Sequence, residues 1–299
     1  MTDEDRQPVS GCVICYQEAD RIEDCLRSLA FCDEVVVVDS GSTDGTCELA
    51  EALGARVVHN APFPGFAAQR QLAVDHCTHD FVLCLDADER ATAELAREVG
   101  ELARARALQG GYQIRRQNRY LGKVMRFGLF SPDRKLRLFD RRQGAVVSRH
   151  PPHDRVELRE GATLGELRGR LDHLNYRDFA AHRRTVDSYT RISAEAMAAA
   201  GRRGSLLDVL VHPPAVFVKA LILKRGILDG WRGALAAAMA AYADWKKYWR
   251  LWSQTRRGRG GGEKTERSGR SHGRLEPASG VGPAAKGSGA PERGLSRRA

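Results

Sequence analysis

The chain has 299 residues, of which 42% are hydrophobic and 29% are charged. This composition is typical of a globular protein that buries a sizeable core in one large domain or two small ones. The net charge is +10, but residues 256–299 alone carry 11 Lys/Arg against 4 Asp/Glu. The basic character therefore belongs mainly to the C-terminal end, and it is weak evidence for nucleic-acid binding by the folded part.

Cysteine usage and the chain termini bear on the cellular compartment. Seven cysteines, an odd number, all fall between Cys12 and Cys84, mostly among apolar residues, so we expect buried thiols in a reducing cytoplasm. Residues 1–7 are polar and acidic, which argues against a secretory signal. No uninterrupted apolar run reaches about 18 residues, which argues against a transmembrane helix.

Short apolar runs alternate with helical patterns along the first hundred residues. The runs predict strands at 9–15, 34–39, 56–59 and 81–85. Strands that alternate with helices form βαβ units, so we expect an α/β fold with a mostly parallel central sheet.

The most informative stretch is the apolar run 81–85, which ends at Asp86 and Asp88. Residues two apart on a strand point the same way, so both carboxylates can face one object. Two like charges held close together are costly unless a cation or hydrogen bonds compensate them. Carboxylate oxygens suit Mg²⁺ or Mn²⁺. The alternative is a strand end that carries two solvated acids.

Three polar loops should open at one edge of this sheet, after Cys15, after Val38 and after Leu85. An acid after one strand can accept hydrogen bonds from a nucleoside, while a metal-binding pair after another holds its phosphates. The chain lacks G-x-G-x-x-G after the first strand and lacks G-x-x-x-x-G-K-[ST]. Dinucleotide-binding and P-loop interpretations therefore lose support.

Four motifs in order resemble those of the family 2 glycosyltransferases: VICYQE (13–18), VVVDSGSTDGT (36–46), GFAAQR (65–70) and LDADE (85–89). They are similar in particular to lipopolysaccharide core glucosyltransferases of the inner-core β-1,4 type, and a looser likeness continues to about Trp252. The resemblance implies a GT-A fold and inverting transfer of a sugar, glucose, from a UDP-sugar to a lipopolysaccharide-type acceptor. It also implies a divalent cation, Mg²⁺ or Mn²⁺, at the Asp-x-Asp motif.

The resemblance assigns roles to the nucleotide side of the site. Asp39 would contact the uracil ring, and Glu18 would lie beside the nucleoside unless it merely caps a helix. Gln17 stands where Asn is usual in the family, and both are amides. The further candidate substrate-binding residues are Cys15, Gln69 and Arg70, the last of which is alternatively a surface cation. Asp86 would hold the ribose or the metal, and Asp88 would ligate the metal directly.

The middle of the chain is basic and rich in aromatic residues. Ten Lys/Arg lie between Arg115 and Arg142, Arg137 among them, with five Tyr and Phe interleaved between 112 and 139. Such a surface suits phosphorylated sugar acceptors, and we include Arg137 among the substrate-binding residues. RNA binding and a solvated basic face are the alternatives.

The stretch 151–156, PPHDRV, matches the position at which the family carries His-Glu. An inverting transfer needs a base that takes the proton of the acceptor hydroxyl. We predict Asp154 as that base, with His153 orienting it or binding donor phosphate. Asp is shorter than Glu by one methylene, and pairing of Asp154 with Arg155 is the alternative.

The domain prediction has four parts: a nucleotide-sugar-binding half (1–110), an acceptor half with the base (111–178), C-terminal helices (179–254) and a disordered basic tail (255–299). The helices end in Trp, Tyr and Lys at 245–252, typical of an interfacial helix. A helical hairpin packed on the catalytic domain explains them equally well. We expect a cytoplasmic enzyme peripheral to the inner face of the cytoplasmic membrane.

Two other functions stay open at this stage. A nucleotidyltransferase also pairs acids around a metal, but its Gly-rich basic loop after the first strand is missing here. A nucleic-acid-binding module would use the basic middle and tail and would bind RNA with strong salt dependence.

Overall fold

A computed structural model describes the backbone of residues 5–150, 153–176 and 178–267, and the side chains of the same residues apart from 149, 150, 153 and 257–267. The chain divides into two units, residues 1–257 and 258–299. Of the second unit, the described residues are 258–267, the end of the last helix. The predicted tail begins at 255 inside that helix, and its residues 268–299 lie outside the described part.

Strands and helices alternate through the first third of the chain, as the sequence predicts. The strands are β1 (Val9–Cys15), β2 (Glu34–Asp39), β3 (Arg56–His59), β4 (Phe81–Asp86), β5 (Glu89–Ala91), β6 (Gly111–Tyr120), β7 (Lys123–Val124), β8 (Arg134–Asp140), β9 (Gly144–His150), β10 (His153–Leu158) and β11 (Leu164–Tyr176). The helices are α1 (Ile22–Ser28), α2 (Thr46–Ala52), α3 (Phe66–His76), α4 (Ala93–Arg104), α5 (Phe179–Ala199), α6 (Leu206–Val218) and α7 (Trp231–Arg267).

One central sheet runs through the molecule in the order β3-β2-β1-β4-β8-β6-β11-β5, with β7 paired to β6. Strands β3, β2, β1 and β4 are mutually parallel, and β6 and β11 are also parallel. Strand β8 is antiparallel to both of its neighbours, and β9 pairs with β10 in a separate hairpin. The predicted α/β class, with a central sheet and C-terminal helices, is confirmed.

Apolar side chains cover both faces of the parallel strands, as expected for strands that are buried on two sides. On one face Val13 and Leu83 share a core with α1 and α4, and on the other Val36 and Val82 pack with α3 and β9. All seven cysteines are unpaired, and five of them are buried. The prediction of buried thiols rather than a disulfide framework is therefore confirmed for most of them.

The register of the parallel strands brings the polar loops together. Cys15 at the end of β1 pairs with Asp39 at the end of β2, and Ile14 pairs with Asp86 at the end of β4. The three carboxyl ends therefore lie side by side, which confirms the predicted convergence. This is the edge at which open α/β sheets bind ligands.

The C-terminal helices include a markedly apolar segment. Helix α6 continues into a π-helical turn (Lys219–Leu223), and a 3₁₀ turn (Gly226–Asp229) precedes α7. Within the described residues, the 18-residue stretch Leu206–Leu223 is long and apolar enough to cross a membrane, with a mean hydropathy of 1.8. Only 11% of it is buried. Asp208, Pro213 and Pro214 interrupt its apolar residues, so it is not an uninterrupted apolar run.

Candidate active site

The loops after β1 and β4 open into a cavity of about 1780 Å³. Nine of the predicted site residues line it: Cys15, Gln17, Glu18, Gln69, Arg70, Asp86, Asp88, Arg137 and Asp154. Asp39 lies behind this wall, and the side chain of His153 in β10 is outside the described part. The residues predicted to bind the nucleotide, to ligate the metal and to act as the base therefore line one cavity, with the exception of Asp39 and His153.

The carboxylate of Asp39 is fully buried and organises its own loop. One oxygen accepts from the backbone N–H groups of Gly41 and Ser42 at 2.8 Å each, and the other accepts from the Ser42 hydroxyl. Burial opposes ionisation, but the bonds from Ser42 and Gly41 outweigh it and lower the pKa of Asp39. Gly41 has a φ of 94°, a left-handed conformation that favours glycine and lets the turn wrap the acid.

The loop after β1 is tied to the loop after β2. The Gln17 N–H donates to Ser42 Oγ at 2.8 Å, and the Glu18 N–H donates to Thr46 Oγ1 at 2.9 Å. Gln17 itself has a φ of 58°, which is uncommon for a residue with a side chain. The two loops therefore form one wall of the cavity, with the Glu18 side chain 25% exposed beside it.

Gln69 braces the same wall from α3. Its side chain is fully buried, donates to Ser40 Oγ at 3.0 Å and accepts from Asn60 Nδ2 at 2.7 Å. These bonds use both ends of the amide to join the loop after β2 to the segment after β3. In this structure Gln69 therefore supports the nucleotide-side loops from behind.

Arg70 joins two of the predicted functional acids. Its Nη2 donates to Asp86 Oδ1 at 2.7 Å, and its Nε donates to Asp154 Oδ2 at 2.6 Å. The guanidinium is 3% exposed. Burial opposes ionisation of Asp86, but Arg70 and then Arg137 hold the pKa of its carboxyl far below its usual range. Arg70 is therefore part of the site and not a surface cation.

Arg137 extends the network from β8. Its Nη2 lies 2.7 Å from Asp86 Oδ2 and 2.9 Å from Glu89 Oε1, and the side chain is 6% exposed. Glu89 is fully buried. It also accepts hydrogen bonds from Arg116 Nη1 at 3.0 Å and from the Asp86 N–H at 2.9 Å. Both oxygens of Asp86 are thus occupied by arginines, so its main contacts are with protein cations.

Asp88 has a different environment. Its Oδ1 is buried without a hydrogen-bond partner among the described residues, and its Oδ2 lies 3.3 Å from His173 Nε2. The other ring nitrogen of His173 lies 2.6 Å from Asn118 Oδ1. Asn118 Nδ2 donates to the Phe130 carbonyl at 2.7 Å, which fixes its amide oxygen toward His173. A neutral His173 therefore carries its proton on Nδ1 and presents a lone pair on Nε2 toward Asp88.

A second group of potential metal ligands lies away from Asp88. Asp39, Cys47 and His59 place one ligand atom each within 4.8 Å of one another. The Asp39 oxygens in this group are already hydrogen-bonded, and burial followed by Asp39 raises the pKa of the Cys47 thiol to about 12. Because a protonated thiol is a poor metal ligand, this group fits a cation less well than Asp88 and His173 do.

Residues 10–153 match the model of the family Glycosyl transferase family 2. Residues 10–153 therefore form a glycosyltransferase family 2 domain. The matched region runs from β1 to the first residue of β10. Among the cavity residues described so far, only Asp154 and His173 lie outside it.

Known proteins similar to this glycosyltransferase include bacterial relatives of nearly full length. The lipopolysaccharide core biosynthesis glycosyltransferase LpsC of Rhizobium meliloti is 28% identical over 251 residues, covering 79% of this chain and 89% of LpsC. An uncharacterized glycosyltransferase of Rickettsia bellii is 27% identical over 256 residues, covering 79% of this chain and 83% of its own length.

Two solved structures are also similar to this chain. The glucosyl-3-phosphoglycerate synthase of Mycobacterium tuberculosis, crystallised with Mn²⁺, UDP and glucosyl-3-phosphoglycerate, is 26% identical with a TM-score of 0.30. That match covers 39% of this chain and 45% of the synthase. TarS 1-349 of S. aureus is 18% identical with a TM-score of 0.42, covering 81% of this chain and 91% of TarS.

The structure adds residues to the glycosyltransferase site that the sequence analysis did not single out. His173 comes from β11, Asn118 and Arg116 from β6, and Glu89 from the residue after Asp88. Glu89 lies inside the recognised LDADE motif, so its position was a usable signal. His173 and Asn118 carry no motif of their own, and only the parallel pairing of β6 and β11 brings them together.

Cations line the cavity of the glycosyltransferase on the side of β8, β10 and α5. They are Arg134, Lys135, Arg155 and Arg184. The side chains of Arg134 and Arg155 are 51% and 57% exposed, and each pairs with a partly exposed glutamate. These cations are exposed to solvent, unlike the buried pair Arg70 and Arg137.

Proposed function

We propose that this glycosyltransferase is metal-dependent and inverting, and that it moves glucose from a UDP-sugar to a lipopolysaccharide core or related glycolipid at the inner face of the cytoplasmic membrane. The observation that carries the proposal is a single cavity lined by both Asp88 and the candidate base Asp154. Asp88 has an unpartnered Oδ1 among the described residues, and its Oδ2 lies beside His173. The resemblance to core glucosyltransferases supports the choice of glucose, and the similarity to LpsC, a lipopolysaccharide core biosynthesis glycosyltransferase, supports the choice of acceptor.

The residues around Asp88 fit a divalent cation. A buried carboxylate oxygen without a partner is costly, and an imidazole nitrogen whose ring is oriented by Asn118 is a typical metal ligand. Asp88 and His173 would hold the cation, while Asp86 stays bound to Arg70 and Arg137. When bound, the cation would supply charge neutralisation for the departing diphosphate.

Asp154 is the residue proposed to take the proton of the acceptor hydroxyl. Arg70 holds its carboxylate on the cavity wall that also carries Asp86. As the acceptor oxygen attacks the anomeric carbon, the bond to the diphosphate breaks and Asp154 receives the hydroxyl proton. Attack from the face opposite the leaving group inverts the anomeric configuration.

The acceptor is proposed to enter over the exposed cations of the cavity. Arg134, Lys135, Arg155 and Arg184 offer charge-assisted hydrogen bonds to phosphate groups of a sugar acceptor. The positively charged rim, set against the acids around Asp88, would orient an anionic acceptor with its hydroxyl toward Asp154.

The test is a release assay for the nucleotide diphosphate, run with four donors: UDP-glucose, UDP-galactose, UDP-N-acetylglucosamine and GDP-mannose. Purified lipopolysaccharides with truncated cores serve as acceptors, with Mg²⁺, Mn²⁺ or EDTA. We expect UDP release that requires UDP-glucose, an acceptor and a divalent cation, and a product of inverted anomeric configuration by NMR. Release of pyrophosphate would instead identify a nucleotidyltransferase, and salt-dependent RNA binding without turnover would favour a nucleic-acid-binding module.

A further inference from the structure

Residues 206–231 expose an unusually apolar surface. Ten large apolar side chains in this segment are 46–74% exposed, and Leu207 and Leu223 are the most exposed at 71% and 74%. A core helix of similar hydropathy would be mostly buried, whereas this stretch is 11% buried. So many exposed apolar side chains in one segment indicate an interaction surface, because apolar residues on an ordinary surface are exposed singly.

The charges around this apolar surface have one sign. The two acids within the segment are occupied internally: Asp208 forms a capping box with Ser205, and Asp229 is 4% exposed and accepts from the Phe127 N–H at 2.9 Å. Lys219, Lys224 and Arg225 are exposed and have no ion-pair partner among the described residues. An apolar face that carries exposed, unpaired cations among the described residues complements an anionic lipid surface.

The segment lies along α7 and contacts the cavity wall at its end. At its start the Gly204 N–H donates to Thr255 Oγ1 at 3.1 Å, and in its middle the His212 ring stacks on Tyr248 at 4.4 Å. At its end the Lys224 carbonyl accepts from the Gly128 N–H at 2.8 Å. A segment held against α7 at two points and against Gly128 at a third can lie in a membrane interface, and crossing the bilayer would break these contacts.

The apolar surface adjoins the cavity rim. Gly128 begins the 3₁₀ turn Gly128–Phe130, in which Leu129 and Phe130 line the cavity. Gly128 and Gly226 pack so closely that a Cβ on Gly128 would lie 3.4 Å from the Gly226 Cα. The last turn of the segment is therefore in direct contact with the wall of the active site.

We infer that the exposed apolar side of residues 206–231 docks the enzyme in the interface of an anionic lipid bilayer, with the cavity mouth next to the lipid. This inference rests on the proposed function for its biological meaning, because a lipid-linked acceptor would enter the cavity beside Leu129 without leaving the membrane. It differs from the sequence-based expectation of an interface at 245–252. There Lys246 pairs with Asp187 and Lys247 with Asp244, so those cations are already used within the protein.

The experiment is flotation of the full chain with phosphatidylcholine vesicles, with and without about 30% phosphatidylglycerol. We expect binding to the anionic vesicles that weakens at high salt. The double variant Leu207→Glu/Leu223→Glu should weaken binding at least about tenfold, because it places carboxylates at the two most exposed apolar positions. The matched control Leu49→Glu/Leu53→Glu alters two exposed leucines, one on α2 and one directly after it, and should bind like the wild type.

Three results would overturn the inference: no binding of the wild type to anionic vesicles, equal loss in both double variants, or loss in Trp245→Ala/Trp249→Ala with full binding of Leu207→Glu/Leu223→Glu. Sedimentation without lipid tests whether a second copy of the chain covers the surface instead. A dimer of the wild type that is absent in the Leu207→Glu/Leu223→Glu variant would also overturn the inference. UDP release with a water-soluble, deacylated acceptor should be unchanged in Leu207→Glu/Leu223→Glu. Failure of UDP release in the wild type would contradict the proposed function and leave the flotation result standing.

Discussion

The Nε atom of Arg70 lies 2.6 Å from the carboxylate of Asp154, although the two residues are 84 positions apart. The same guanidinium contacts Asp86. One buried cation thus fixes the candidate base relative to the Asp-x-Asp motif. This link fixes the candidate base in β10 beside the proposed nucleotide site at the ends of β1, β2 and β4.

Asp154→Asn should abolish transfer while nucleotide binding stays near that of the wild type. The amide can still accept a hydrogen bond from Arg70, but it cannot take the proton of the acceptor hydroxyl. We expect kcat to fall by about 10²–10⁴-fold. UDP release at saturating acceptor measures kcat, and calorimetric titration with UDP measures binding.

Glu157→Gln is the control for Asp154→Asn. Glu157 lies on the same strand, lines the same cavity and pairs with Arg155 at the surface. Its substitution should leave kcat close to that of the wild type. Full activity of the Asp154→Asn variant would remove Asp154 from the mechanism.

Asp88→Asn and His173→Asn should each raise the concentration of Mn²⁺ or Mg²⁺ that supports half-maximal activity. We expect a shift of about 10–100-fold for His173→Asn and a larger one for Asp88→Asn, because the latter removes an anionic ligand. Mn²⁺ titration of the UDP complex, followed by calorimetry, measures the shift independently of turnover.

His59→Asn separates the two candidate metal groups. His59 belongs to the group with Asp39 and Cys47, and its side chain is 69% exposed. The metal requirement should not change in this variant. A shift in His59→Asn without one in His173→Asn would place the cation beside Asp39 and contradict the proposed site.

Glu89→Gln should destabilise the fold by about 3–5 kcal/mol, because it leaves the buried guanidinium of Arg137 facing a neutral amide. Urea unfolding at neutral pH measures the change. Glu23→Gln is the control, since its pair with Arg27 is 51–64% exposed and should contribute about 0–1 kcal/mol. Similar urea midpoints of unfolding for Glu89→Gln and Glu23→Gln would show that the buried ion pairs of Glu89 do not stabilise the fold more than a surface pair does.

The nucleotide-side loops were predictable because local patterns fix them. Uninterrupted apolar runs specify parallel strands that are buried on both faces, and parallel strands place their following loops at one edge. The observed pairing of Cys15 with Asp39 and of Ile14 with Asp86 follows from that rule. Asp39, Asp86 and Asp88 could therefore be placed near one another without knowledge of the tertiary structure.

Strand β11, which carries His173, could not be predicted from its sequence pattern. Its leucines at 164, 167, 171 and 174 have helix-like spacing, and charged residues separate them. The buried positions of the strand are instead 167, 169, 171 and 173, so Gly169 and His173 occupy inward places that an apolar pattern would fill. Gly169 is required there, because a Cβ would lie 2.3 Å from the Leu95 Cα.

The ion-pair network was also beyond sequence reasoning. The basic middle of the chain predicted a charged surface, but nothing in the sequence distinguishes the buried Arg137 from the exposed Arg134 three residues earlier. Their burial depends on the side of β8 to which each points and on the distant acids that meet them. Arg137 pairs with Asp86 across 51 positions, a contact that only the order of strands in the sheet determines.

His182 should make stability fall as the pH is lowered from about 6.5 to 4. The residue is 5% exposed, its Nδ1 lies 2.9 Å from the Tyr120 hydroxyl, and burial lowers its pKa to about 4. The unfolded chain binds the proton near pH 6.5 and the folded chain does not, so up to about 3 kcal/mol is lost across this window. Urea unfolding at several pH values should show a shallower dependence for His182→Phe, which keeps a ring against Tyr176. His59→Asn should retain the wild-type slope, and parallel curves for wild type and His182→Phe would show that the buried imidazole does not carry this pH dependence.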